Sequence, residues 1–284
     1  MNWFDIKQRF VHELEMLYPL VEIEAIFFIA TEAYFKLNRM DYMLNKLDEL
    51  SLDQEELLES TIARLKKYEP IQHIVCVADF YGREFVVNKN VLVPRQETEL
   101  LIDLILKENK DSKKLLDIGT GSGCIPISLK AENPDFVIAT MDVSPDAIEV
   151  AKKNAKKNDV ELSFIHQDIL DTSLWPNIDN ETYDIIVSNP PYVLESEKEL
   201  MSKNVVDFDP DLALYVDDES PLVFYEAIAK FASQKLKVGG KLYFEINERF
   251  GKEVAALCQL CGFSNVKTIK DLHEKDRFVS AIID

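Results

Sequence analysis

Apolar residues in the first 69 positions recur every three or four residues, which is the spacing of one face of an α-helix. They form three runs: Ile6, Phe10, Leu14 and Leu17; Ile23, Phe27, Ala30 and Tyr34; and Leu58, Ile62 and Leu65. Pro19 interrupts the first run, and Ser51 with Gln54 forms a capping box before the third. The pattern predicts a helical-bundle domain over residues 1–69. Because this segment has no catalytic-looking cluster of charges, we expect it to dock a substrate protein.

From Pro70 the spacing of the apolar positions changes to two, which is typical of β-strands. Tyr81-Gly82 lies between two runs of β-branched and aromatic residues and has the composition of a turn. We therefore predict a β-hairpin over residues 70–93 that links the helical domain to the rest of the chain.

Residues 94–284 alternate short apolar runs with amphipathic ones. The predicted strands cover 114–118, 137–141, 161–165, 183–188, 241–246, 264–269 and 277–283. The predicted helices begin near 123 and cover 145–157, 221–236 and 251–261. Strands that alternate with helices indicate an α/β fold with a doubly wound, mainly parallel sheet. We predict a Rossmann-like, seven-stranded catalytic domain over residues 94–284.

Charge narrows the class of partner. The chain has 51 acidic and 32 basic residues, with a formal net charge of −19. Phosphate backbones and anionic membranes attract clusters of Lys and Arg, so we expect neither direct nucleic-acid binding nor membrane binding. A basic protein partner suits this charge better, although the acidity could equally serve only to keep the chain soluble.

The cysteines and the apolar runs exclude several other classes. Four cysteines are too few for a disulfide scaffold, and the Cys258/Cys261 pair lacks the second ligand pair of a zinc site, so no metal is predicted. No apolar run reaches the length of a membrane span, and the N-terminus lacks the apolar core of a signal peptide. A cytoplasmic location is expected.

A glycine-rich turn follows the first predicted strand of the sheet. This glycine turn is formed by Gly119, Thr120, Gly121, Ser122 and Gly123. Glycine lets the backbone pass close to a ligand, and the next helix offers free N–H groups. The spacing is not that of a dinucleotide fingerprint, and the lysine of a phosphate-binding loop is missing. Such turns also occur without a ligand.

Acidic residues follow the next two strands. Asp142 ends the second strand, where an acid can accept both hydroxyls of a ribose. Asp168 follows the third strand and could accept a hydrogen bond from an adenine amino group. Either acid alone could be a solvated turn residue. Because the carboxyl ends of parallel strands meet at one edge of a sheet, the glycine turn and both acids together predict a nucleoside site there.

Two consecutive prolines follow the fourth strand, in the sequence Asn189-Pro190-Pro191-Tyr192, named here the NPPY turn. The prolines fix φ and Pro191 has no N–H, so the carbonyl groups of this turn are held in place and can accept hydrogen bonds. The Asn189 side-chain oxygen and the Pro190 carbonyl suit the two hydrogens of a planar NH2 group, on which Tyr192 can stack. Two such acceptors raise the electron density on a weakly nucleophilic nitrogen. The turn predicts methyl transfer from a sulfonium to an amide or an exocyclic amine.

Together with other segments, these residues resemble the release-factor glutamine methyltransferases, the HemK/PrmC family of S-adenosylmethionine-dependent methyltransferases. The resemblance covers nearly the whole chain. NPPY is shared with amino-methylating DNA enzymes, whereas VLVPRQETELL and FDPDLAL are more specific. It implies methylation of N5 of the glutamine in the Gly-Gly-Gln motif of class-1 peptide chain release factors. The methyl donor would be S-adenosyl-L-methionine and the product S-adenosyl-L-homocysteine. Nothing demands more than a monomer.

The residue reading and the resemblance together give each position a role. Catalysis is assigned to Asn189, Pro190 and Tyr192. Cofactor binding is assigned to Gly119, Thr120, Gly121, Gly123, Asp142, Asp168 and Asn189. Substrate binding is assigned to Asn189, Pro190, Pro191, Tyr192, Pro94, Arg95, Glu97 and Thr98.

Some positions depart from the residue that is usual in the family. Glycine is usual at Cys76, Asn247 and Glu274. Proline is usual at Gln96, glutamate at Asp209 and glutamine at Phe250. These departures bear on loop geometry and partner choice more than on methyl transfer.

Other functions stay open at this point. The same clamp could serve amino methylation of adenine or cytosine in nucleic acid, or methylation of a glutamine in a ribosomal protein. A nucleoside-binding scaffold without catalysis, whose helical domain docks a partner, is the third alternative.

Overall fold

The computed structural model describes residues 1–111, 113–178 and 181–284, which form two compact units. The first contains residues 1–77 and 202–208, and the second contains residues 78–201 and 209–284. Within the described residues, the helices are α1 (Trp3–Leu14), α2 (Leu20–Phe35), α3 (Arg39–Asn45), α4 (Leu52–Leu65), α5 (Ile71–Val75), α6 (Glu99–Glu108), α7 (Cys124–Glu132), α8 (Pro145–Lys157), α9 (Lys203–Val206), α10 (Asp211–Leu214), α11 (Val223–Lys235) and α12 (Gly251–Leu260). The strands are β1 (Val77–Phe80), β2 (Arg83–Val86), β3 (Lys114–Ile118), β4 (Val137–Asp142), β5 (Ser163–His166), β6 (Tyr183–Ser188), β7 (Val193–Leu194), β8 (Tyr215–Val216), β9 (Leu236–Glu245), β10 (Phe263–Lys270) and β11 (Asp276–Ile283). Short 3-10 turns cover Gln96–Thr98, Thr172–Asn177 and Glu195–Leu200.

The first unit is a helical bundle around one apolar core. The predicted apolar positions of α1, α2 and α4 lie in this core, as Ile6, Phe27 and Leu58 illustrate with exposures of 0%. The capping box predicted at Ser51 is present, and Asn2 and Asn38 form similar boxes at α1 and α3. These caps satisfy N–H groups that a helix start leaves without partners.

The predicted hairpin is wrong in its first part, because residues Ile71–Val75 form helix α5 rather than a strand. Pro70 precedes α5 with φ near −58°, a value suited to a helix start, and Ile71 and Ile74 pack into the helical core. Their spacing of three places both side chains on one face of a helix, whereas in a strand they would point to opposite faces. The hairpin itself is shorter and joins β1 to β2 around Tyr81-Gly82.

Two of the departures from glycine have left-handed backbones. Cys76, which ends α5, has φ of 58°, and Glu274, between β10 and β11, has φ of 62°. A residue with a Cβ is strained by about 1 kcal/mol or more in this conformation, whereas glycine is not. The left-handed backbone therefore explains why the family usually has glycine at both positions.

We expect Cys76→Gly and Glu274→Gly each to raise the free energy of unfolding by up to about 1 kcal/mol. The relief of strain exceeds the extra chain entropy that glycine gives the unfolded state. Urea unfolding curves measure the change. Cys261→Gly is the matched control, because Cys261 also ends a helix but has φ of −82°, so this variant should lose stability. Destabilisation of all three variants would contradict the explanation.

The second unit is built on a seven-stranded sheet with strand order β10-β11-β9-β6-β3-β4-β5. The pairs from β9 to β5 are parallel, and β11 is antiparallel to both β10 and β9. Alternate residues of a strand enter different cores: Leu116 and Ile186 lie in one cluster, and Leu115 and Ile185 lie in the other. Helices therefore cover both faces, and the predicted doubly wound, mainly parallel sheet is confirmed.

Strand register places several strand ends side by side. Ile118 pairs with Met141 on one side and with Ser188 on the other. Ser188 in turn lies opposite Phe244 of β9, and Asp142 lies opposite His166 of β5. The carboxyl ends of β5, β4, β3, β6 and β9 thus share one edge of the sheet, where doubly wound folds bind ligands.

No helix within residues 1–111, 113–178 and 181–284 is long and apolar enough to cross a membrane. Among those same residues, no three His, Cys, Asp or Glu side chains are grouped so that they could hold a metal ion.

Candidate active site

The glycine turn connects the carboxyl end of β3 to the start of α7. Its glycines have φ angles of 79°, 53° and 81°, in the left-handed region. The N–H groups of Gly119 and Thr120 donate to the carbonyl of Met141 at 2.8 and 3.1 Å, which ties the turn to the end of β4. A Cβ on Gly123 would lie 2.9 Å from Cδ1 of Ile127, so helix packing as well as conformation requires glycine there.

Asp142 is held by the backbone at the end of β4. Its Oδ2 accepts the N–H of Gly121 and its Oδ1 accepts the N–H of Ser144, both at 2.9 Å. Burial raises the pKa of this carboxyl, and the backbone N–H groups of Gly121, Ser144 and Val143 oppose the rise. Each carboxylate oxygen has two lone pairs, so both can still accept a hydroxyl group from a ligand.

Asp168 lies after β5, on the same edge of the sheet. Its Oδ1 accepts the N–H of Leu170 at 2.8 Å, which fixes the turn that carries it. The side chain is half-buried, and Gln167, Asp168 and Ile169 together form part of the wall of the cavity described below.

The NPPY turn lies directly beside the glycine turn. The Ser188 hydroxyl, at the end of β6, donates to the carbonyl of Ile118 at 2.7 Å and so joins the two strand ends. A Cβ on Gly119 would lie 4.0 Å from the carbonyl oxygen of Asn189. The backbones of the two turns are therefore neighbours at this edge of the sheet.

Tyr192 ends the NPPY turn with its ring packed against the core. Its hydroxyl donates to Oε1 of Glu245 at 3.4 Å, and its carbonyl accepts from Nδ2 of Asn247 at 3.1 Å. Burial raises the pKa of the phenol, and the nearby Glu245 carboxyl adds to the rise. At neutral pH Tyr192 is therefore a neutral donor.

A cavity of about 270 Å³ lies at this edge of the sheet. Many of the predicted site residues line it: Pro94, Arg95, Thr98, Gly119, Thr120, Gly121, Asp142, Asp168, Asn189, Pro190 and Pro191. The lining does not include Glu97, Gly123 or Tyr192. The roles of all these residues in binding and catalysis stay predictions.

The cavity also has walls that the sequence analysis did not assign. They come from Lys89, Asn90, Val91 and Leu92, from Pro210, Leu212 and Ala213, and from Phe224 and Ile228. The FDPDLAL segment contains Pro210, Leu212 and Ala213, so the resemblance could have found these three. Phe224 and Ile228 lie one turn apart on α11 and look in the sequence like ordinary core positions.

An ion pair joins two segments of the cavity wall. Arg95 donates to Oδ2 of Asp209 at 2.7 Å, and only 2% of the Asp209 side chain is exposed. Asp209 is the departure from the usual glutamate, and its shorter side chain still reaches the guanidinium. The pair holds the segment that begins at Pro94 beside the one that begins at Pro210.

Comparisons with known proteins agree with this geometry. The family model named "Methyltransferase small domain" matches residues 95–207. The crystal structure of a methyltransferase from Pyrococcus furiosus aligns with a TM-score of 0.51 and 16% identity, over 81% of this chain and 98% of that one. This likeness concerns the fold alone. The fold, the site and the family model together define an S-adenosylmethionine-dependent methyltransferase.

Relatives in sequence narrow the class further. The family model named "PrmC N-terminal domain" matches residues 22–75. The release factor glutamine methyltransferase of Bacteroides thetaiotaomicron is 44% identical over 268 residues, which cover 94% of this chain and 95% of that protein. The one of Flavobacterium psychrophilum is 42% identical over 280 residues, or 96% of each. The chain belongs to the family of release factor glutamine methyltransferases.

Proposed function

We propose that this chain transfers a methyl group from S-adenosyl-L-methionine to N5 of the glutamine in the Gly-Gly-Gln motif of class-1 peptide chain release factors. One observation carries the proposal: the NPPY turn, suited to an NH2 group, adjoins the glycine turn at one cavity. The relatives at 42–44% identity, which are named release factor glutamine methyltransferases, support the same acceptor.

The residues of the cavity suit the proposed cofactor. Gly119 and Gly121 leave backbone exposed to the cavity without side chains, which suits a ligand that lies against the turn. The Asp142 carboxylate would accept the ribose hydroxyls, and Asp168 the adenine amino group. S-adenosylmethionine would supply a methyl group made electrophilic by its sulfonium.

The NPPY turn would then prepare the amide nitrogen. That nitrogen is a weak nucleophile because its lone pair is delocalised onto the carbonyl. The Asn189 side-chain oxygen and the Pro190 carbonyl would accept its two hydrogens and stabilise the positive charge that forms as nitrogen bonds to carbon. As the C–N bond forms, the C–S bond of the sulfonium would break, one of the two hydrogens would leave to water as a proton, and the products would be a neutral secondary amide and S-adenosyl-L-homocysteine. The fixed prolines aim the acceptors before the substrate arrives.

Charge supports a protein acceptor rather than nucleic acid. A net charge of −19 repels phosphate backbones, whereas it favours a basic partner. We assign docking of that partner to the helical domain of residues 1–69, linkage to residues 70–93, and catalysis to residues 94–284. A monomer suffices, because every residue in the proposal belongs to one chain.

The proposal is tested by incubating the protein with methyl-labelled S-adenosylmethionine and a class-1 release factor. We expect label on the wild-type factor and none on a factor whose Gly-Gly-Gln glutamine is replaced by alanine. Duplex DNA, single-stranded DNA and ribosomal proteins are offered in parallel. Absence of label on the wild-type release factor would reject the proposal, and label on a nucleic acid or a ribosomal protein instead would support one of the alternatives.

A further inference from the structure

A buried carboxyl group lies behind the NPPY turn and does not itself line the cavity. Glu245 ends β9, next to β6, and is 1% exposed. Its Oε2 accepts the hydroxyl of Thr98 at 2.7 Å, and its Oε1 faces the hydroxyl of Tyr192 at 3.4 Å. The second contact is long for a hydrogen bond between two oxygens. Glu245 thus joins a cavity-lining residue to the last residue of the NPPY turn.

A second side chain from the same strand end holds the backbone of the turn. Nδ2 of Asn247 donates to the carbonyl of Tyr192 at 3.1 Å. Oδ1 of Asn247 accepts the N–H of Arg249 at 3.0 Å, which fixes the orientation of the amide. Asn247 stands where the family usually has glycine, and glycine could not make either contact.

We infer that Glu245 and Asn247 are positioning residues for methyl transfer, which hold the hydroxyl and the carbonyl of Tyr192 and so keep the NPPY turn in one orientation. The inference rests on the proposed function. Its physical basis is that two acceptors stabilise a developing charge only if they are aimed in advance. A displacement of about 1 Å from outside the reacting atoms can lower a rate roughly a hundredfold.

A carboxylate suits the position of Glu245 because two hydroxyl groups, those of Thr98 and Tyr192, face its two oxygens. An ionised carboxylate is acceptor-only, so each oxygen can receive one hydroxyl hydrogen at the same time. A glutamine has the same shape but only one acceptor oxygen, and its NH2 group would face a hydroxyl donor. Apolar residues would stabilise such a buried position more than a carboxyl does, and this favours a functional reason for Glu245.

Burial raises the pKa of Glu245 to about 7, and the hydroxyls of Thr98 and Tyr192 and the charge of Arg277 oppose the rise. The negative charge of Glu97 adds to the rise in the pKa of Glu245. Near neutral pH Glu245 therefore changes between a form that accepts from both hydroxyls and one that cannot. The turnover number kcat should rise with pH through this range.

The test compares Glu245→Gln, Asn247→Gly and Tyr192→Phe with the wild type in the labelled-transfer assay. We expect kcat to fall at least about tenfold for Glu245→Gln and several-fold for the other two. The KM for the release factor and the Kd for S-adenosylmethionine should stay within about twofold, because none of the three changes removes a group that lines the cavity. The rise of kcat between about pH 6 and pH 8 should be lost in Glu245→Gln.

Tyr243→Phe is the matched control. Tyr243 lies on the same strand, two residues before Glu245, and its buried hydroxyl also donates to a glutamate, Oε2 of Glu108 at 2.7 Å. Its side chain belongs to the other core, so a loss of stability there does not reach the NPPY turn directly. We expect its kcat and its pH profile to match those of the wild type.

Three results overturn the inference in distinguishable ways. If the wild type methylates the release factor and Tyr192→Phe and Asn247→Gly keep its kcat, the inference fails and the proposed function stands, even if Glu245→Gln does not fold. If the wild type transfers no methyl group to the release factor, both the proposed function and the inference are rejected. Equal losses of kcat in Tyr243→Phe would also count against positioning, because they would indicate a general effect of stability.

Discussion

Replacing Asn189 with alanine is expected to lower the rate of methyl transfer at least about tenfold while the affinity for S-adenosylmethionine stays within about twofold. Alanine removes the side-chain oxygen that would accept one hydrogen of the substrate amide, and the loss of one preorganised polar contact in an active site costs about a hundred- to a thousandfold in rate. Asn189 is also among the residues assigned to cofactor binding, but the glycine turn and the Asp142 carboxylate stay in place and would keep most of the contacts to the cofactor.

Single-turnover experiments with labelled cofactor measure the rate of methyl transfer, and isothermal titration calorimetry measures the affinity for S-adenosylmethionine. Pro191→Ala is the matched control. It keeps both the Asn189 side-chain oxygen and the Pro190 carbonyl, so its rate of methyl transfer should fall less than that of Asn189→Ala. A scaffold without catalysis would show no turnover in any of the three proteins. Equal rates for Asn189→Ala and the wild type would contradict the clamp on the amide.

The free energy of unfolding is expected to fall as the pH rises from about 5 to about 8, because two fully buried carboxyl groups resist ionisation. Burial raises the pKa of Asp117 to about 7, although the hydroxyl of Thr140 donates to it at 2.7 Å, and burial raises that of Glu245 to about 7 as well. In the unfolded chain both groups ionise near pH 4. Between about pH 4 and pH 7 the folded state therefore holds more protons than the unfolded state, and stability is lost as the pH rises. The loss is on the order of 3 kcal/mol for each group.

Urea unfolding curves at fixed ionic strength between pH 5 and pH 8 measure this effect. Asp117→Asn cannot ionise, so its stability relative to the wild type should improve with pH by the same few kcal/mol, and Glu245→Gln should behave alike. The general repulsion among acidic side chains affects the variants and the wild type equally and cancels in the comparison. Parallel curves for wild type and variants would contradict the raised pKa values.

The sequence predicted the fold best where one period dominates. Helix α8 has the predicted bounds because Ser144 caps its start. Strand β6 has the predicted bounds because a buried apolar run defines it. Helix α5 gave the wrong prediction because its five residues, IQHIV, are too few to display a helical period and include three β-branched residues, which are typical of strands. The short elements between β6 and α11 were not predicted, since their two to six residues are too few to display a clear period.

The site could be predicted only in part, for a physical reason. The glycine turn, Asp142 and the NPPY turn each follow a strand, and parallel strands bring their carboxyl ends together without further information. Asp209 and Glu245 give no such signal. The partner of Asp209 lies 114 positions away in the chain, and one partner of Glu245 lies 147 positions away, so only the folded structure shows that they meet.

Those long separations also bear on the order in which the molecule assembles. The hydrogen bond between Thr98 and Glu245 closes a loop of chain that contains β3, β4, β5 and β6. Closing this loop costs chain entropy, and the cost is offset only once the strands within the loop have paired. The hydrogen bonds behind the NPPY turn must therefore form with the sheet or after it. Refolding experiments should recover the sheet no later than the methyltransferase activity.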